Sequence, residues 1–236
     1  MPLQAKRRLL LLPGIDGTGQ LFSPIVPLLE NEFAIDIICY GNGRTFNTFK
    51  EHTDYVLSLI GNDKVTLLAE SFSGPIALYI LTNHANKIES CILSATFASS
   101  PYPNLCKLLS LLPTPILNWT QIQSLVLKLL CLNGIDLQTS PNKELLEQTL
   151  QTIRSVPTQH IQKRLKLLSE LTVQELTSDT PCLYLKAQTD RVISQTLTEQ
   201  LVQALPNVII KEIDGPHLLL QTKPQQCAAA IIDFLN

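Results

Sequence analysis

Ala69-Glu70-Ser71-Phe72-Ser73-Gly74 decides the fold of this chain. An apolar run, Lys64-Val65-Thr66-Leu67-Leu68, precedes it, and a helix-like run, Pro75-Ile76-Ala77-Leu78-Tyr79-Ile80-Leu81, follows. A serine between small residues, where a strand turns sharply into a helix, has the pattern of a nucleophile elbow. The residues two before and two after the serine must be small for so tight a turn. Here they are Ala69 and Ser73, a relaxed form of G-x-S-x-G. Taken alone, Ser71 also reads as a helix N-cap, a place that serine favours.

Working outward, strand-length apolar runs recur at Arg8 to Leu12, Phe33 to Tyr40, Lys64 to Ala69, Ile88 to Ala95, Cys182 to Ala187 and Val208 to Ile213. They are continuous rather than alternating, as in strands covered on both faces of a parallel sheet. Helical stretches are expected between them, at Leu21 to Asn31, Phe46 to Ile60, Pro75 to Ala85, Ser194 to Ala204 and Pro224 to Leu235. The alternation predicts a doubly wound α/β sheet with right-handed crossovers. It breaks once. Residues 99–180 hold no convincing strand, only leucine-rich helical stretches broken by Pro101, Pro103, Pro113, Pro115, Pro141 and Pro157. A plain crossover needs only about a dozen residues. The expectation is therefore a core of residues 1–98 and 181–236 with a helical cap inserted at 99–180.

A serine nucleophile needs a base in contact, a third group to orient that base, and donors for the oxyanion. In open α/β sheets such groups lie beyond the carboxyl ends of the strands. After the fifth run comes Asp190, in Ala187-Gln188-Thr189-Asp190. After the sixth comes His217, in Asp214-Gly215-Pro216-His217. The other histidines, His52, His84 and His160, fall in crossover helices or the cap. Asp190 alone reads as a turn aspartate and His217 alone as a structural histidine. In the chain order Ser71, Asp190, His217 they make the order of the α/β-hydrolase fold. Asp214 is too close to His217 along one loop to orient it, and no carboxylate follows the fourth run at Ser94-Ala95-Thr96.

After the first run comes Leu12-Pro13-Gly14-Ile15-Asp16-Gly17-Thr18-Gly19. Its glycines let backbone approach a ligand. The spacing fits neither a P-loop nor a dinucleotide fingerprint. The backbone N–H groups of Ile15 and Phe72 are the expected oxyanion donors, the second at a helix N-terminus. Gly14 and Asp16, with Glu70 as a structural or rim contact beside the serine, are the expected substrate neighbours.

These segments resemble the α/β-hydrolase superfamily, most of all the cytoplasmic bacterial members and plant plastid relatives with an LPG-x-DGTG first loop. Gly215-Pro216-His217-Leu218-Leu219-Leu220-Gln221 and Pro181 to Ala187 carry the same resemblance. Ala69 and Ser73 depart from the usual glycines, and Pro13-Gly14 stands where many members have His-Gly. Against full-length members the resemblance begins at the strand that leads into the first loop, and six parallel strands in the order 2-1-3-4-5-6 are expected. The resemblance implies a serine esterase, lipase or thioesterase. The plant relatives add acyl transfer, and a binding domain that kept the fold is the reading from another class.

The composition narrows the partners. A net charge of −2 gives no electrostatic footprint for nucleic acid, and Lys6-Arg7-Arg8 reads as a solvated start of a strand. The apolar run Leu9 to Leu12 is too short for a signal core or a membrane span. Six cysteines without C-x-x-C or metal-ligand spacing read as thiols, with Cys39, Cys91 and Cys182 packed in strands, and suit a reduced, cytoplasmic setting. No cofactor or metal is expected. With 45% hydrophobic and only 16% charged residues, some apolar surface is left for a pocket, a lid or a partner. The cap leucines Leu105, Leu108, Leu109, Leu111 and Leu112, and Ile122, Leu125, Val126, Leu129 and Leu130 after them, are expected mostly to pack. A minority would line an apolar acyl pocket, and Leu108 to Leu112 could also touch a lipid surface. The substrate is then a small ester or thioester. Oligomeric state is not legible.

Overall fold

The computed structural model describes residues 6–41, 43–113, 140–172 and 178–236. Six strands form one sheet, β1 (Arg7–Leu12), β2 (Phe33–Ile37), β3 (Val65–Glu70), β4 (Ile88–Ser94), β5 (Cys182–Ala187) and β6 (Ile209–Ile213). All pair in parallel, in the order β2-β1-β3-β4-β5-β6. The sheet has the order that the sequence predicts.

Side chains alternate across each strand, so the leucine run of β1 feeds two cores. Leu10 and Leu12 join Leu67, Ala69, Leu93 and Tyr184 under helices α2 (Phe49–Ile60), α3 (Gly74–Asn83) and α7 (Gln195–Ala204). Leu9 and Leu11 join Leu68, Ile92 and Leu185 on the other face, with α1 (Val26–Leu29), α8 (Leu219–Thr222) and α9 (Pro224–Leu235). Each fully buried leucine contributes roughly 1.5–3 kcal/mol. The continuous-run reading holds for β3, which is buried throughout, but not for β6, where Ile209 to Glu212 are exposed. An edge strand has only one neighbour and stays open to water.

Other boundaries differ from expectation, among them the second strand, which stops at Ile37, and the second helix, which starts at Phe49. Leu21 to Asn31 is a 3₁₀ turn at Gln20–Phe22 followed by the single turn α1, because Pro24 and Pro27 remove two backbone donors. The fourth strand stops at Ser94, since Ala95 takes φ 44.

Between β4 and β5 lie helices α4 (Pro103–Leu111), α5 (Ser140–Ser155) and α6 (Thr158–Glu170). Helix α4 packs along α6. Gln148 of α5 donates to the Gln20 carbonyl at 3.2 Å, and Tyr102 donates to the Arg191 carbonyl at 2.9 Å. The expected packing of the α4 leucines holds only in part, with Leu109 and Leu112 half-buried. Cys106 faces inward, whereas Tyr102, Leu105, Leu108 and Leu111 face outward at a three-residue spacing. Ile122, Leu125, Val126, Leu129 and Leu130 lie outside the described residues. Cys91 and Cys182 are buried register partners on β4 and β5. Arg8 at the start of β1 pairs with Asp36 and Asp63 at 2.8 and 3.2 Å.

Candidate active site

Strand β3 delivers Ser71 at its carboxyl end, and the chain turns at once into a 3₁₀ turn, Ser71–Ser73, and then α3. The turn forces Ser71 to φ 47, a left-handed conformation that costs a non-glycine residue roughly 1–2 kcal/mol. Strain at such a place points to function rather than stability. The surroundings hold it. Thr96 Oγ1 donates to the Ser71 carbonyl at 2.5 Å, and a Cβ on Gly74 would overlap that threonine. Gly74 is therefore required by space.

The loops after β5 and β6 are stitched side by side. Gln188 N–H donates to the Ile213 carbonyl at 3.0 Å and Thr189 N–H to the Gly215 carbonyl at 3.1 Å. This brings Asp190 against His217, with Nδ1 2.9 Å from Asp190 Oδ2. A carboxylate only accepts, so Nδ1 carries the proton. Nε2 of the neutral ring is then the acceptor, and Ser71 Oγ lies 3.0 Å from it. The other carboxylate oxygen, Oδ1, accepts from Val192 N–H at 2.7 Å and Ile193 N–H at 3.0 Å.

The first loop lies against the elbow. A Cβ on Gly14 would sit 3.9 Å from Ser71 Cβ. Gly17 N–H closes a turn on the Gly14 carbonyl at 3.0 Å. Phe72 occupies the first turn of the helical segment, where N–H groups have no intrahelical acceptor. Gly17 and Gly19 take φ 68 and 76, so their conformation asks for glycine. Asp16 is buried and turned into its own loop, where Oδ2 accepts from Thr18 N–H at 2.8 Å and Thr18 Oγ1 at 2.6 Å. Glu70 is buried too and accepts from Gln221 Nε2 at 2.9 Å. Burial pushes its carboxyl up to about 7. Gln221 opposes the shift, and the nearby Asp16 adds to it. Gly14 lies beside the serine, and a Cβ there would also sit 3.6 Å from Asp16 Oδ1 and 3.9 Å from Glu70 Oε2, so the second oxygen of each buried carboxylate comes to the same place.

Several contributors escape the sequence reading. Ser73 Oγ donates to the Pro13 carbonyl at 2.5 Å and lies 2.9 Å from Tyr40 Oη. The residue that replaces the usual glycine joins the elbow to the first loop. Arg164 on α6 donates to the carbonyls of Ile15 and Asp16 at 2.9 and 2.7 Å. His52 is buried among Tyr40, Phe46 and Phe72, and burial lowers its pKa to about 4. A signal for Arg164 existed. It shares a helix face with Leu167 and Leu168, which marks an arginine on the apolar side.

Two features bear on a substrate. Leu145, Leu146, Leu150 and Ile153 of α5 cluster with Leu218, next to His217. A cavity of about 310 Å³ flanks Asp190, lined by Tyr184, Lys186, Gln188, Thr198 and Glu212 among others, with neither Ser71 nor His217 in its wall.

The model of a family described as "Serine aminopeptidase, S33" matches residues 44–217, a span that holds Ser71, Asp190 and His217. No curated protein matches the chain. Solved structures of similar fold include the esterase from Exiguobacterium antarcticum, 14% identical with a TM-score of 0.80, covering 99% of this chain and 93% of that one. The enol-lactonase from Burkholderia xenovorans LB400 is 15% identical with a TM-score of 0.77, covering 100% and 93%. An epoxide hydrolase from Bacillus megaterium is 11% identical with a TM-score of 0.78, covering 99% and 94%.

Proposed function

Because the chain belongs to the S33 serine aminopeptidase family of α/β hydrolases, we propose that it is a serine hydrolase that cleaves a small carboxylic ester or thioester with an apolar acyl group. The observation that carries this reading is the continuous row of contacts from Ser71 Oγ through His217 to Asp190, at 3.0 and 2.9 Å. His217 Nε2 takes the Ser71 proton as Oγ attacks the substrate carbonyl. Asp190 holds the ring and stabilises the imidazolium. The N–H groups of Ile15 and Phe72 take the oxyanion. His217 returns the proton to the leaving alcohol or thiol, which leaves Ser71 acylated. Water, deprotonated by the same histidine, then releases the acid.

The insertion acts as the cap. The apolar cluster of α5 residues on Leu218 supports an acyl group bound beside His217. The polar lining of the cavity beside Asp190 suits a solvated groove instead. Gly14, with Asp16 Oδ1 and Glu70 Oε2 close by it, lines the site beside Ser71.

Fluorophosphonate labelling with peptide mapping tests the reading, run beside p-nitrophenyl esters of graded chain length and an aminoacyl arylamide. Stoichiometric label on Ser71 and turnover of the esters support it, and preference for the arylamide moves the substrate to amides. Folded protein that neither labels nor turns over leaves a binding domain. Added alcohol or thiol that captures the acyl group in competition with water identifies acyl transfer. The outward stripe of Tyr102, Leu105, Leu108 and Leu111 favours peripheral lipid contact in addition. Phosphatidylcholine vesicles that raise the rate support that contact, and simple saturation kinetics without vesicle effect opposes it.

A further inference from the structure

Arg164 is a costly residue for the place it occupies. It is 3% exposed, beneath the insertion. A buried guanidinium loses several kcal/mol of hydration, recovered only through good partners. Among the described residues no carboxylate pairs with it within salt-bridge distance. Its recorded partners are two main-chain carbonyls, Ile15 and Asp16, both taken by Nη1, and the Tyr40 ring with its centroid 5.9 Å from Cζ. The first loop makes room for it. A Cβ on Gly17 would overlap the guanidinium, so this glycine answers to the arginine as well as to its own φ. Leucine at 164 would fill the space at lower desolvation cost, so packing alone does not call for a cation.

The two carbonyls belong to the turn that presents the Ile15 N–H. In a planar trans peptide the N–H and C=O point in opposite directions. The Gly14 carbonyl faces into the turn, where it accepts from Gly17 N–H at 3.0 Å. The Ile15 N–H of that same peptide therefore points out of the turn. Arg164 fixes the next two peptides, and with them the orientation of the first.

We propose that Arg164 is a positioning residue which, from helix α6 of the insertion, sets the Ile15 N–H for the oxyanion, so that oxyanion stabilisation depends on how the insertion is seated on the first loop. This rests on the serine-hydrolase reading above. Arg164 touches no reacting atom. It acts through the loop.

The test compares wild type with Arg164→Gln and Arg164→Lys, checked for folding by thermal melts. The readouts are kcat and KM on one p-nitrophenyl ester, fluorophosphonate labelling rate, and affinity for an aryl trifluoromethyl ketone, whose adduct carries an oxyanion. Loss of one oxyanion donor costs about 100–1,000-fold, and a loosened donor costs less. Arg164→Gln is therefore expected to lower kcat by about 10–100-fold with KM within about threefold, and ketone affinity is expected to fall in step with kcat/KM. Arg164→Lys, with one point donor for two carbonyls, falls between. Guanidinium ion added to Arg164→Gln restores part of the rate. Folded Arg164→Gln with wild-type kcat and ketone affinity overturns the proposal. So does failure of both variants to fold, which makes the arginine structural. Wild type that never labels at Ser71 overturns the underlying reading instead.

Discussion

Ser73 donates its hydroxyl proton to the Pro13 carbonyl at 2.5 Å, which obliges Tyr40 to be the donor in its own 2.9 Å contact with Ser73. The usual glycine at this position would leave a buried phenol and a buried carbonyl without that partner. Ser73 has φ −81, so its backbone does not ask for glycine. Ser73→Gly, a change toward the common motif, is expected to cost about 1–3 kcal/mol and to lower kcat, as read by urea unfolding and ester turnover.

The left-handed Ser71 separates two inactive variants. Ser71→Ala keeps the strain of φ 47, whereas Ser71→Gly releases it. Release returns roughly 1–2 kcal/mol, offset by about 0.5–1 kcal/mol for the freer unfolded glycine. Ser71→Gly should then be the more stable by about 1 kcal/mol. Equal melting midpoints would mean that the surroundings relax around alanine.

Asp190→Asn keeps an acceptor for Val192 and Ile193 N–H, now 2.7 and 3.0 Å from Oδ1. Its amide presents N–H where His217 Nδ1–H needs an acceptor, which favours the wrong tautomer. A loss of about 10⁴-fold in kcat with a near-normal melt is expected. A nearly silent variant would hand the orienting role to another group.

Glu70 and His52 give opposing pH slopes. Glu70 rises from 4.5 to about 7 on folding, chiefly through burial, so the native state holds its proton longer. Its contribution is full below about 4.5 and is lost as pH rises to about 7, by about 3 kcal/mol. His52 falls from 6.5 to about 4, again chiefly through burial, so its contribution is full above 6.5 and is lost as pH falls to about 4. The two nearly cancel in the wild type between pH 4.5 and 6.5. Glu70→Gln should leave a stability that falls with acid across that window. His52→Phe should leave one that falls with base. Flat urea midpoints in both variants would contradict this.

The sheet order and the meeting of Ser71, His217 and Asp190 were legible because each depends on local pattern. Apolar runs of strand length, a small residue on either side of Ser71, and Gly215-Pro216 before His217 are all written within a few positions. Boundaries failed where one residue overrides a run, as Ala95 ends β4 and Pro24 and Pro27 break the first helix. The burial of Asp16 was not legible, since exposure of a loop carboxylate depends on what packs over it. Arg164 meets a loop 148 positions earlier in the chain, and nothing short-range announces such a contact beyond an arginine on a leucine face. Ser73 was legible as small enough. Its bonding role needed Tyr40 and Pro13 in place.

Arg164 and Gly17 bind the insertion and the first loop to each other residue for residue. The insertion is therefore not an interchangeable cassette. A chimera that grafts a relative's helices between β4 and β5 inherits a first loop cut to receive an arginine it no longer has. Recombination across this fold should succeed only where both segments travel together, and the pair predicts which crossovers leave an active enzyme.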